Sequence, residues 1–139
     1  MKKRVAQIIS LGIALAALPA VQAQDRRMKA DVPFDFYVGA TAMPHGAYRV
    51  EATSNHAVAW IQEMEQDATK AIVTTNTTNM SRPGPKLVFH RYGEDYFLAE
   101  IWTGETSIGQ RLPRSAREKE LARGGAVHTL AVIQVALHR

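Results

Sequence analysis

The chain has 139 residues, no cysteine, and a formal charge of +4 from 17 Lys and Arg against 13 Asp and Glu. Without cysteine it forms no disulfides, thiol nucleophile or cysteine zinc site, so its stability has to come from apolar burial. With 46% hydrophobic residues it has material for one core and not comfortably for two.

Residues 1–23 read as an export signal. Lys2, Lys3 and Arg4 form a basic start, Val5 to Leu18 an apolar run, Pro19 a break, and Val21-Gln22-Ala23 a small-residue cleavage site. The run is about 14 residues, short of the roughly 20 that span a bilayer, so no stable membrane span is expected after cleavage. Losing those three basic residues lowers the formal charge from +4 to +1. A nearly neutral remainder lacks the concentrated basic surface of a nucleic-acid binder. The expected product is one β-rich domain over 24–139, periplasmic or extracellular, with its core over about 31–123.

Residues 24–30 (QDRRMKA) read as a polar lead-in. Val32, Phe34, Phe36 and Val38 then alternate with Asp31, Pro33, Asp35 and Tyr37, the period of a half-buried strand. Pro33 has no backbone donor, which sets this strand at a sheet edge. Met43-Pro44-His45-Gly46 is a turn, and Ala47–Ala52 a strand with Tyr48, Val50 and Ala52 inward. His56–Met64, apolar on both faces, reads as a central strand. Gln66-Asp67 turn the chain into a strand over Ala68–Thr75, and Asn76–Pro85 forms a loop.

Lys86–Tyr92 and Tyr96–Thr103 form a hairpin about Gly93-Glu94-Asp95. A loop over Thr103–Pro113 leads to Ser115-Ala116-Arg117-Glu118, whose capping-box spacing opens a short helix to Arg123, stopped by Gly124-Gly125. Its basic excess (Arg111, Arg114, Arg117, Lys119, Arg123 against Glu118 and Glu120) reads as a solvated helix with its own ion pairs. Ala126–Leu137 is a final strand, with an amphipathic helix as the other reading. The fold class is all-β, mainly antiparallel: a small β-sandwich or partly open barrel of about six or seven strands with one helix near the C-terminus.

Three segments together, VPFDFYVGATAMPHGAYRVE, KLVFHRYGEDYFLAEIWTG and GQRLPRSAREKEL, resemble a family of small exported β-proteins of acidobacterial-type soil bacteria. The resemblance spans about residues 31–121. It implies export and a shared fold, and supplies no catalytic residue or ligand.

The cluster His90-Arg91-Tyr92-Gly93-Glu94-Asp95 poses the question of a site. Adjacent strand residues point to opposite faces, so His90 and Arg91 cannot share a site, and the cluster reads as a hairpin tip. The histidines make no H-x-x-x-H or H-E-x-x-H pair, and no G-x-S-x-G elbow occurs. Glu100, between apolar neighbours, is the most unusual carboxylate, expected to face solvent or to pair with a base on the next strand. No catalytic residue, cofactor or metal ligand is assigned. The candidate interaction surface is Tyr37 and Tyr92 on polar faces with Val32 and Phe36 on the presumed edge strand, a route to self-association by strand addition.

The expected function is an exported, non-catalytic β-domain that binds or assembles in the envelope or outside the cell. A small-ligand carrier with an interior apolar pocket is the alternative, and a hydrolase using His90 with Glu94 or Asp95 a third.

Overall fold

The structure, a computed structural model, describes residues 26–53, 55, 57–81, 84–104 and 106–137. The expected export signal and its cleavage site lie outside them. Along the chain come β1 (Arg26–Val32), β2 (Phe36–Val38), β3 (Thr41–Met43), β4 (Gly46–Ala52), β5 (Val58–Glu63), β6 (Thr69–Val73) and β7 (Thr75–Thr78). Then follow β8 (Lys86–Tyr92), β9 (Asp95–Trp102), β10 (Ile108–Arg111), the helix α1 (Ala116–Arg123), β11 (Thr129–Gln134) and β12 (Ala136–Leu137).

Two sheets form a mainly antiparallel β-sandwich. Sheet A has the order β12-β1-β4-β5-β6, and sheet B the order β11-β8-β9-β10-β7. In sheet B, β2 joins β9 through one parallel pair, Tyr37 with Phe97, and carries β3 on its other side. Period-2 alternation decides what is buried. Met28, Ala30, Val32, Tyr48, Val50 and Ile61 from sheet A meet Phe36, Leu87, Phe89, Leu98 and Ile101 from sheet B. Phe36 touches Tyr48 and Phe89 edge-on at 5.1 and 5.3 Å, and Phe34 touches Phe89 at 4.9 Å. Each such large side chain contributes about 1.5–3 kcal/mol by burial, plus the aromatic contact.

Both lateral sides are crossed by one unbroken segment. At one side β6 of sheet A runs through Thr74 into β7 of sheet B, with the Thr74 amide donating to Ala57 O at 2.8 Å. At the other, β11 of sheet B runs through Val135 into β12 of sheet A, with the Val135 amide donating to Pro85 O at 3.1 Å. Strand, not helix, is therefore the state of the C-terminal segment.

The strands outnumber those expected because several change sheets midway. Alternation over Val32–Val38 is present, but β1 ends at Val32, and Pro33-Phe34-Asp35 carries the chain across to β2. β1 is no edge: it pairs with β4 along its length and with β12 at Met28 and Lys29. From Arg26 on, the lead-in read as polar is thus an interior strand, with Met28 and Ala30 buried beneath exposed Arg27 and Lys29. The segment over Ala68–Thr75 likewise divides, and Thr75–Thr78 pairs with β10. β5 is central as expected but buries one face only, leaving Trp60 at 45% exposure.

The β8–β9 hairpin closes on Gly93-Glu94, one residue tighter than expected, with Tyr92 opposite Asp95 and Gly93 at φ +62°. Between Val88–Glu100 and Phe89–Leu98 the register shifts, and Ala99 is the extra residue of a bulge. Its carbonyl accepts from the Leu112 amide at 2.9 Å, which anchors the segment leading into α1. Among the described residues, no helix is long and apolar enough to cross a membrane.

Candidate functional site: a polar cleft beneath the helix

The helix α1 lies on the outer face of sheet B. Ser115, in an extended conformation, caps it by accepting from the Glu118 amide at 3.2 Å, as the spacing implied. Gly124 ends it, its amide donating to Glu120 O at 3.0 Å. Its sequence AREKELAR has almost no apolar stripe, and its buried residue is Glu118, 4% exposed. Polar contacts therefore fasten it to the sheet: Arg117 reaches Asp95 at 3.6 Å and lies over the Tyr37 ring at 5.2 Å.

The Glu118 carboxylate, expected to reach back to the helix start, instead turns to the sheet. Its Oε1 lies 2.6 Å from His90 Nδ1, accepts from the Tyr92 hydroxyl at 3.2 Å, and stands 4.0 Å from Arg114 Nε. His90 and Tyr92 are two apart on β8 and share this face. Arg91 points the other way, over the Tyr96 ring at 5.3 Å, with its Nε donating to Gly93 O at 2.7 Å. In a neutral His90 ring whose Nδ1–H donates to Glu118, Nε2 is the nitrogen left as an acceptor.

His128, from the segment before β11, completes the cluster, its ring 4.3 Å from that of His90 and 5.5 Å from that of Tyr92. Burial, then the nearby His90 and Arg114, holds its imidazole below the ordinary value. Burial and the Glu118 charge push the Tyr92 hydroxyl up.

Beside these groups opens a cleft of about 280 Å³, lined by His90, Ala99, Glu100, Arg111, Leu112, Arg114 and Glu118. Glu100 pairs with a neighbouring-strand base as expected: Arg111 Nη2 lies 3.4 Å from its Oε1. The Trp102 indole also donates to Glu100, at 2.9 Å, and Arg111 bonds Thr77 Oγ1 at 3.0 Å. Both cleft arginines are about half exposed, and their carboxylate contacts are long at 3.4 and 4.0 Å. Their remaining N–H donors are open to a bound acid.

The residues singled out as an interaction surface lie elsewhere. Val32, Phe36 and Tyr92 are buried, and Tyr37 is half-buried, stacked on Phe97 at 5.1 Å beneath Arg117. They do not present an open apolar edge: β2 is paired on both sides, and Val32 is paired with Gly46 on one side and buried. Glu94 is exposed at the hairpin tip, and Asp95 faces Arg117, so neither partners His90. His45 pairs with Asp35, by its amide at 2.8 Å and its ring at 2.9 Å, and these bonds hold the Asp35 carboxyl below its usual range. Glu118, Arg111, Arg114 and His128 are the site residues that sequence reading missed; Arg111 lies on β10 and Arg114 ahead of α1, not on the solvated helix to which both were assigned. The one signal for Glu118 was a helix too polar to bury anything else.

Among the described residues no group of three or more His, Asp or Glu side chains is arranged to hold a metal ion. In comparisons with known proteins, no family model, no curated protein and no solved structure matches this chain.

Proposed function

We propose that the chain is an exported, non-catalytic β-domain that acts by binding, in the envelope or outside the cell, and that its ligand is a small acid held in the outer-face cleft. The observation that carries this reading is the pairing of two loosely engaged guanidinium groups, Arg111 and Arg114, with an enclosed imidazole around about 280 Å³ of space. The resemblance to small exported β-proteins supports the location. The Phe34, Phe36, Tyr48 and Phe89 rings that fill the space between the sheets favour this outer cleft over an interior apolar pocket.

Binding is favoured over covalent catalysis because the carboxylates that line the cleft are already engaged, Glu100 by Trp102 and Arg111 and Glu118 by His90 and Tyr92. The test is calorimetric titration of the full chain with acetate, succinate and inorganic phosphate. Saturable binding that Arg114→Gln weakens supports the reading, and no heat with any of the three ends it.

The His90–Glu118 contact favours one second reading, a hydrolase in which His90, oriented by Glu118 rather than by Glu94 or Asp95, takes a proton from water at Nε2. Turnover of soluble esters that His90→Gln abolishes while leaving the far-UV spectrum intact would select it.

A further inference from the structure

The outer face of sheet A, opposite the cleft, is not covered by the helix, and its registers set out two cross-strand rows. One row reads Arg27, Glu51, Trp60, Ala71, and the next Lys29, Arg49, Gln62, Thr69. Trp60 is 45% exposed on β5, one strand in from β6, and Ala71 beside it is too small to cover the indole. Arg49, Glu51, Trp60, Gln62 and Thr69 line a shallow depression of about 100 Å³.

The charges on this face are uneven. Arg27 is satisfied by Glu51 at 2.8 Å. Lys29 and Arg49 stand directly opposite each other, like charges side by side, and neither makes an ion pair among the described residues. Such a pair weakens a sheet unless a ligand's anion neutralises it.

We infer that this face is a binding site for an acidic polysaccharide, a chain of uronic-acid sugars. The indole offers a flat apolar platform for the C–H face of a pyranose ring. Arg49, with Lys29 beside it, takes the sugar carboxylate as a planar fork. Thr69 and Gln62, whose amide nitrogen already donates one hydrogen to Asp67, supply the remaining donors and acceptors for hydroxyls. A shallow depression running across several strands, each about 4.8 Å from the next, suits an extended chain better than a compact ligand. A nucleic acid fits less well, because this face offers a single ring on which to stack bases and one pair of neighbouring unpaired cations rather than a basic track along a phosphate backbone. The inference is independent of the cleft.

The chain has two tryptophans, and Trp102 is only 3% exposed, so the solvent-sensitive emission reports on Trp60. The full chain is titrated with polygalacturonate, with neutral dextran and with single-stranded DNA. The expected result is a saturable emission change with polygalacturonate, weakened by salt, and little with the other two. In affinity electrophoresis, Arg49→Gln should weaken retardation by polygalacturonate about tenfold, and Trp60→Ala should abolish it with an unchanged far-UV spectrum. Should Trp60→Ala not fold, the Arg49→Gln result decides alone. Equal binding of dextran, tighter binding of DNA, or retardation that Arg49→Gln leaves unchanged overturns the proposal.

Discussion

His90 Nδ1 and Glu118 Oε1 lie 2.6 Å apart although 28 residues separate them in the chain, one on a strand and the other on the only helix among the described residues. The two side chains are 18% and 5% exposed, so their contact is largely shielded from water, and it joins the Arg117 contacts in attaching α1 to sheet B. Removing the carboxylate leaves the Tyr92 hydroxyl and the His90 ring without their acceptor. Glu118→Ala should cost about 3 kcal/mol in urea unfolding. Glu118→Gln keeps an acceptor and should cost about 1–2 kcal/mol. A loss below about 0.5 kcal/mol for the alanine variant, in the range of ordinary surface substitutions, would show that the helix is held by something else.

The same cluster gives acid sensitivity a definite sign. His128 has its pKa held below 6.5 in the folded protein, so the unfolded chain binds the proton more readily. Its contribution is fully present above pH 6.5 and is lost as pH falls from there through the folded value. His128→Gln should flatten the dependence of the unfolding midpoint on pH in that window, measured at constant ionic strength. An unchanged slope would place the acid-sensitive group elsewhere.

Alkaline instability should come from the other side of the sandwich. Tyr48 is fully buried, donates its hydroxyl to the Pro44 carbonyl, and has its pKa pushed up to about 12 by burial and by Glu63. The unfolded chain releases that proton near pH 10, so stability falls as pH rises above 10, by roughly 2–3 kcal/mol once the folded value is reached. Tyr48→Phe should be weaker at neutral pH for want of the hydrogen bond, and flatter between pH 10 and 12. A parallel decline in both proteins would assign the alkaline transition to other groups.

Gly109 illustrates a constraint that polarity cannot express. A Cβ there would lie 2.7 Å from Cδ2 and Cε3 of Trp102, whose ring is buried and hydrogen-bonded to Glu100. Gly109→Ala should therefore cost about 1–3 kcal/mol by overpacking and shift the Trp102 emission. If thermal unfolding is unaltered, the ring has room to move.

Alternation carried much of the fold into view. It placed Tyr48, Val50 and Ala52 inward, set His90 and Arg91 on opposite faces, and kept Val32, Phe36 and Val38 in the core even where the strand was broken. What it could not show is where a strand leaves one sheet for the other, because side chains keep their period through the crossing at Pro33 or Thr74. β1 escaped notice since Met28 and Ala30 add little hydropathy among Arg27, Lys29 and Asp31, and what buries them is pairing with β4 and β12. The site was legible to the extent that Ser115 and Glu118 had cap spacing and Glu100 wanted a basic partner. That the Glu118 carboxylate turns to His90 is a tertiary choice made by a helix with no apolar stripe.

The continuity of the chain at both flanks, through Thr74 and through Val135, makes the two layers behave as a sleeve rather than as the covers of a book. They cannot swing apart about one seam, so solvent must enter between them at the ends. Tension applied at the C-terminus would first peel away the two residues of β12 and then unzip β11 from β8, rung by rung, before any load reached the aromatic rings inside.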